Sequence, residues 1–347
     1  MASSEGPGAP VRGRKRKAAL WVVSIVGAVV LGWMASSRLP LWPERWIVPA
    51  PLWLGLGIAA YLPYAWVRAE RIRRLLEAEL ADGQGLSGAL VQGSGWVSFL
   101  AVIALPFRLG EFSRPILLAR AERPGLGFPE ALTAQAVEKI LDGLAIVGLL
   151  FTGLALSSPA GDELGSVREV GRWMTGLFGV GLVVLLISSR MPEQLGKLTR
   201  VVVPGAPGHK LGDFAQRVAA SLQPLWRPSV GGVVLMWTAL YWAITVLQLW
   251  AVARGFGLGL SVPASAAVVA IVGLSIQLPG GPAQLGSFQL GMTGALLLYV
   301  DMDTAETLSA AAAFSAGMYL LQLVGALLFA APGAWLLRRE TPQRERA

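Results

Sequence analysis

The sequence predicts an all-α protein, a polytopic bundle of transmembrane helices with about six full spans and two interrupted or re-entrant helical elements. Three observations predict it. Of the 347 residues, 54% are apolar and only 14% charged, against about 25% charged in an ordinary soluble domain, and the mean hydropathy is +0.58. Long apolar stretches recur from the N-terminal region to Leu337, leaving no segment of ordinary domain length for a separate soluble domain. Stretches of about 20 apolar residues fit a helix across the hydrocarbon, where only a helix or a closed barrel satisfies its own backbone. The expected organisation is a basic, disordered tail at 1–17, one transmembrane domain at 18–338 and a short tail at 339–347.

The first element follows Val11-Arg-Gly-Arg-Lys-Arg-Lys17 and runs from Ala18 to about Ser36. A cleavable signal peptide has a core of about 7–15 apolar residues and a small-x-small site, so a retained signal anchor is expected. The full spans are 18–37, 47–67, 130–156, 173–190, 229–252 and 308–337. Two further apolar stretches are interrupted. The stretch 86–106 contains Gln92-Gly-Ser-Gly95, and 261–300 contains Leu278-Pro-Gly-Gly-Pro-Ala-Gln-Leu-Gly286; glycine and proline at that density break a helix. Between 191 and 227 polar and apolar residues alternate as in an amphipathic segment on a membrane surface.

Positive charge orients the spans. Arg12 to Lys17, Arg68 to Arg74, Arg190 to Arg227 and Arg338 to Arg346 mark cytoplasmic segments, while Asp162, Glu163, Asp301, Asp303 and Glu306 lie on the other side. Both termini are then cytoplasmic, and the expected location is a bacterial inner membrane. Arg108, Arg114, Arg120 and Arg123 fit this scheme if 86–106 is a hairpin entering from the cytoplasm. The same count makes 261–300 begin and end outside, giving the inverted pair of broken elements that places transporter sites near the midplane. Tilted, kinked spans are the alternative. Most of the thirteen tryptophans fall towards span ends, as an interfacial belt does.

The net charge of +8 sits in short clusters between apolar stretches, a pattern of topology signals and anionic-lipid contacts rather than of a nucleic-acid partner. Cysteine is absent and His209 is the one histidine, which removes disulfides and thiolate chemistry and weighs against histidine-based zinc sites. No cofactor and no metal site is expected. Asp301-Met-Asp303 reads as a solvated acidic loop.

Two polar signals stand out. In Leu105-Pro-Phe-Arg-Leu-Gly-Glu-Phe-Ser-Arg-Pro115 a helical turn would align Arg108, Glu111 and Arg114, and arginine's planar fork suits phosphate or carboxylate. In the span 130–156, Gln135, Glu138, Lys139 and Asp142 form one stripe at i, i+3, i+4 and i+7. Each ionisable residue near a helix centre costs roughly 2.5–3.5 kcal/mol on insertion scales, so these residues need partners. The six charges of Arg108, Glu111, Arg114, Glu138, Lys139 and Asp142 sum to zero, as expected of a mutually neutralised buried cluster able to exchange a partner for a lipid phosphate. A network that only fixes helix register is the competing reading. Thr238, Tyr241, Thr245 and Gln248 share a face that suits a polar cavity or interhelical hydrogen bonds.

These strings, together with Glu138-Lys-Ile-Leu-Asp142 and the glycine-proline motif at 278–286, resemble the flippase-like membrane family typified by the transmembrane half of lysylphosphatidylglycerol synthase. The resemblance covers about residues 20–337. It marks Arg108, Gly110, Glu111, Arg114, Glu138, Asp142, Pro279, Gly281 and Gly286, with Lys139 where the family more often has arginine and Gln289 where a glutamate commonly stands. It implies a domain that moves aminoacylated or other polar lipids between leaflets, without the soluble aminoacyl-transfer domain.

The function expected is therefore a lipid flippase or lipid-binding transporter and not an enzyme, acting on an anionic or modified (glyco)phospholipid. An integral membrane transferase using Glu138 or Asp142 as base, or a scaffold for a lipid-modifying enzyme, is the alternative. The expected partners are membrane lipids with anionic headgroups, with room for a lipid-modifying enzyme or a second copy of the chain.

Overall fold

The computed structural model describes residues 9–77, 85–157, 164–220, 223–277 and 281–340, together with Leu80 and Pro159. Among these residues all regular structure is helical. The helices are α1 (Ala9–Ser36), α2 (Pro51–Ala59), α3 (Tyr61–Glu70), α4 (Arg73–Glu77), α5 (Gly88–Ala104), α6 (Ser113–Ala119), α7 (Phe128–Leu156), α8 (Leu164–Arg190), α9 (Pro192–Val202), α10 (Ala206–Ala220), α11 (Pro228–Gly255), α12 (Val262–Ser275), α13 (Ser287–Leu296) and α14 (Ala305–Glu340). Among the described residues three of them, α7, α11 and α14, are long and apolar enough to cross a membrane.

Several expected elements are redrawn. Helix α1 starts at Ala9, so the basic run forms its first turns; lysine and arginine are good helix formers. The expected span 47–67 is two helices meeting at Ala60, three residues before Pro63, whose ring displaces the carbonyl of Ala59 and whose nitrogen carries no proton. Gln92-Gly-Ser-Gly95 does not interrupt α5. Its glycines are contact points instead, since a Cβ on Gly93 would stand 2.9 Å from the Gly333 carbonyl oxygen of α14, and one on Gly95 would meet Ala69 of α3. Within 191–227, α9 and α10 form an antiparallel helical hairpin closed by an Arg200–Asp213 ion pair of 2.5 Å.

The stretch from α5 to α6 is a helical hairpin. Ser87 hydrogen-bonds Glu340 at the end of α14, and after the return through α6 the Arg123 guanidinium donates to the Gly85 carbonyl at 3.0 Å. Both ends therefore lie together. Helices α12 and α13 make a second hairpin at the opposite end of the bundle. There a Cβ on Gly153 of α7 would stand 2.8 Å from the Pro263 carbonyl oxygen, and Ser157 bonds Tyr299 at 2.9 Å.

The two tips meet in the interior. The first is the 3₁₀ segment Pro106–Phe112 and the second holds Ile276 and Gln277 on one side and residues 281–286 on the other, with a 3₁₀ turn at Pro282–Gln284. The largest apolar core joins α7, α11, α12, α13 and α14 around Phe314, Met292 and Leu150. A second core under the first hairpin holds Ile72, Leu76, Leu118 and Leu126.

Candidate functional site

Helix α7 supplies the spine of the site. Gln135, Glu138, Lys139 and Asp142 all line one cavity of about 510 Å³, as their spacing on one helical face requires. Arg108 and Glu111 enter from the first hairpin tip. The Arg108 guanidinium meets Glu111 at 2.6 Å and also bonds the Gln277 side chain on the second tip. Lys139 reaches the same Glu111 oxygen at 2.9 Å, and the Gln135 amide donates to the Glu111 carbonyl at 2.6 Å.

Arg114 does not share a face with Arg108. The i, i+3 overlay of the 3₁₀ turn joins Arg108 to Glu111, but at Ser113 the chain becomes α-helical and turns Arg114 inward. It is 5% exposed, bonds Glu138 at 3.0 Å and the Ala69 carbonyl at 2.5 Å, and lies behind the cavity rather than in its wall.

Two arginines that read in the sequence as topology signals belong to the site. Arg71 pairs with Asp142 at 2.6 Å, approaches Glu138 at 3.8 Å and stacks over the Tyr241 ring at 4.5 Å. Arg68 lines the cavity, its guanidinium over the Phe99 ring at 4.2 Å. With Tyr64 they fall at i, i+4 and i+7, a stripe legible in the sequence. Their neighbours behave differently, for Arg73 and Arg74 pair locally with Glu70 and Glu77. The expectation of a neutral cluster is thereby corrected. Arg68, Arg71, Arg108, Arg114 and Lys139 are five cations against the carboxylates Glu111, Glu138 and Asp142, a formal surplus of two positive charges.

From α11, Tyr241 and Trp242 complete the wall. The Trp242 indole donates to Asp142 at 3.1 Å, and the Tyr241 and Tyr64 hydroxyls stand 3.3 Å apart. Beyond this pair lies a smaller cavity of about 140 Å³ lined by Thr245, Gln248, Phe288 and Met292. Thr238 bonds its own helix, and Gln248 reaches the Gly57 carbonyl at 3.1 Å.

The marked glycines pack rather than bind. A Cβ on Gly110 would fall on the Ala101–Val102 backbone, so only glycine lets the tip cross α5 this closely. A Cβ on Gly281 would collide with the Ala28 side chain of α1, and Gly286 (φ +86°) lies against the Ala28 carbonyl. At the start of α13 the Gly286 N–H donates to the Gln289 side chain at 2.7 Å, so that amide is taken by the chain itself. Pro279, with Leu278 and Gly280, lies outside the described residues, as do Asp162 and Glu163. At the acidic loop the Asp303 N–H donates to the Asp301 side chain at 3.0 Å.

Residues 20–326 match the family model described as lysylphosphatidylglycerol synthase TM region. No curated protein and no solved structure matches the chain.

Proposed function

The chain belongs to the family of the lysylphosphatidylglycerol synthase transmembrane region, a membrane family with a lipid-related function, and from that premise we propose that it is a lipid translocase. It carries the polar headgroup of a membrane lipid between leaflets while the acyl chains stay in the bilayer. The observation that carries this reading is the charged cavity at the meeting point of two hairpins that enter from opposite ends of the bundle. Ionisable residues at membrane depth mark substrate paths, and paired broken elements are how transporters place a polar site at the midplane.

The arginine-rich end, with Arg120, Arg123 and Arg338, then faces the cytoplasm, and the end with Asp301 and Asp303 faces outward. The membrane is the bacterial inner membrane. Glu138 and Asp142 are each engaged by arginine, which suits struts for the cations better than general bases.

Leaflet exchange of fluorescent phospholipid in vesicles containing the purified protein tests this. Exchange well above that of empty vesicles is expected, and Arg108→Lys, which keeps the charge and loses the bidentate fork, should reduce it at unchanged thermal stability. Exchange no faster than in empty vesicles would sink the proposal.

A further inference from the structure

The pairing of charges around the cavity decides what it can still bind. Glu111 is held by Arg108 and Lys139, Glu138 by Arg114 and Arg71, and Asp142 by Arg71 and the Trp242 indole. An incoming ammonium would have to displace one of these donors to reach a carboxylate. Arg68 is the opposite case. It forms no ion pair among the described residues, and its contacts are a long hydrogen bond to the Gly95 carbonyl at 3.5 Å and the face of Phe99. Nearby, Nε of Arg71 is buried without an acceptor. The electrostatic capacity left over is thus positive.

The rest of the polar wall is uncharged. Gln135, Gln277, Gln284, Gln322, Tyr64 and Tyr241 line the same cavity, and Oε1 of Gln135 is buried without a donor. Amides and phenols both donate and accept, which matches hydroxyl groups. At about 510 Å³ the cavity lies within the size range of small-molecule sites, with room for more than a bare phosphate.

Building on the lipid-translocase reading, we propose that the cavity selects a phosphodiester lipid whose headgroup is otherwise uncharged and hydroxyl-bearing, a glycerol or a sugar, and discriminates against headgroups that carry an ammonium. Arg68 is the phosphate ligand. Its free fork offers two parallel N–H donors to the phosphate oxygens, and the amide and phenol wall takes the hydroxyls. An ammonium adds a like charge to a site already in positive surplus and finds each carboxylate occupied, so rejection comes from repulsion as well as from a missing partner.

Native mass spectrometry of the purified protein in detergent is the test, with phosphatidylglycerol, phosphatidylethanolamine and lysyl-phosphatidylglycerol of identical acyl chains. Retention is expected to fall in that order. Arg68→Gln should weaken phosphatidylglycerol binding by roughly tenfold or more, the scale of a lost charge-assisted hydrogen bond, and Arg68→Glu should raise lysyl-phosphatidylglycerol above phosphatidylglycerol. Should Arg68→Glu fail to fold, Arg68→Lys serves instead, with weaker phosphatidylglycerol binding and the same order. Equal retention of all three lipids by the native protein, or phosphatidylglycerol binding untouched in Arg68→Gln, would overturn the selectivity while leaving translocation standing. Free glycerol phosphate competing as well as the lipid would overturn the lipid itself, and with it the translocase reading.

Discussion

Replacing Asp142 with asparagine removes one negative charge from a buried ion pair of the site and little else. Arg71 is 3% exposed and its guanidinium lies 2.6 Å from Asp142, so in Asp142→Asn a buried cation loses its nearest countercharge. Breaking a buried pair from one side costs about 3–5 kcal/mol. The lower end applies, because Glu138 remains at 3.8 Å and the Tyr241 face at 4.5 Å; about 3 kcal/mol corresponds to a factor near 150 in the unfolding equilibrium. The assay is equilibrium unfolding of the purified protein by SDS in mixed micelles, followed by tryptophan fluorescence. A second variant, Arg71→Met with Asp142→Leu, removes both charges, leaves the surplus of two unchanged and should recover most of the lost stability, since a buried pair replaced by apolar residues is often neutral or better. Leaflet exchange should return with it if the pair is a strut for the cavity. Asp142→Asn within about 0.5 kcal/mol of the native protein, the range of an ordinary surface substitution, would refute the reasoning, and so would a double variant less stable than the single one.

Gly281→Ala should destabilise the protein by about 1–3 kcal/mol through overpacking against α1, and Ala28→Gly in the same chain should restore part of that loss, because the collision is between those two Cβ atoms; thermal unfolding of the three variants checks it. Gln289→Ala should cost about 1 kcal/mol through loss of the cap on Gly286, and Gln289→Glu should cost at least as much in the same measurement, because it keeps the acceptor but places a carboxyl at a buried position. For topology, the cysteine-free chain permits single substitutions: Glu122→Cys should stay unlabelled by an impermeant thiol reagent in intact cells and Asp303→Cys should react. Labelling of the first would invert or open the first hairpin.

Periodicity found the spine of the site because α7 is a long helix whose polar stripe at Gln135, Glu138, Lys139 and Asp142 survives folding unchanged. A hairpin was legible from charge, since the arginines after 106 conflict with a full crossing and Arg123 does return to Gly85, but its bounds were not, for 86–106 holds one helix, α5, and the return is α6. What failed was local chemistry whose meaning depends on a distant neighbour. Gly93 and Gly95 read as helix breakers, yet in a tightly packed bundle small residues are what let backbones approach. Arg68 and Arg71 read as cytoplasmic markers because Arg73 and Arg74 follow them; only the placement of α3 against α5 and α11, which brings Arg71 to Asp142, separates the pair that enters the bundle from the pair that stays at its rim. The alignment of Arg114 with Arg108 failed because Arg108 lies in the left-handed region, outside a regular helical register, and the chain changes from 3₁₀ to α-helix at Ser113, neither of which the sequence marks.

Backbone conformation at the two tips argues that their side chains matter more than their ease of folding. Arg108 (φ +56°) on the first tip, and Ala283 (φ +60°) and Gln284 (φ +57°) on the second, all sit in the left-handed region, where a residue other than glycine costs about 1–2 kcal/mol. Glycine would relieve each position, and this chain has 42 glycines, several of them at neighbouring places. At Ala283 the carbonyl accepts from the Tyr319 hydroxyl at 3.1 Å, which holds the turn to α14. Arg108 and Gln284 instead point their side chains to the cavity wall. The conformational cost is thus borne where a guanidinium and an amide are presented from opposite hairpins to one space, and glycine is kept for Gly110, Gly281 and Gly286, where the backbone itself must pass close to a neighbour. Strain retained at the meeting point of the two hairpins, rather than relieved, is what a site requires when its polar groups must be held at fixed positions before a headgroup arrives.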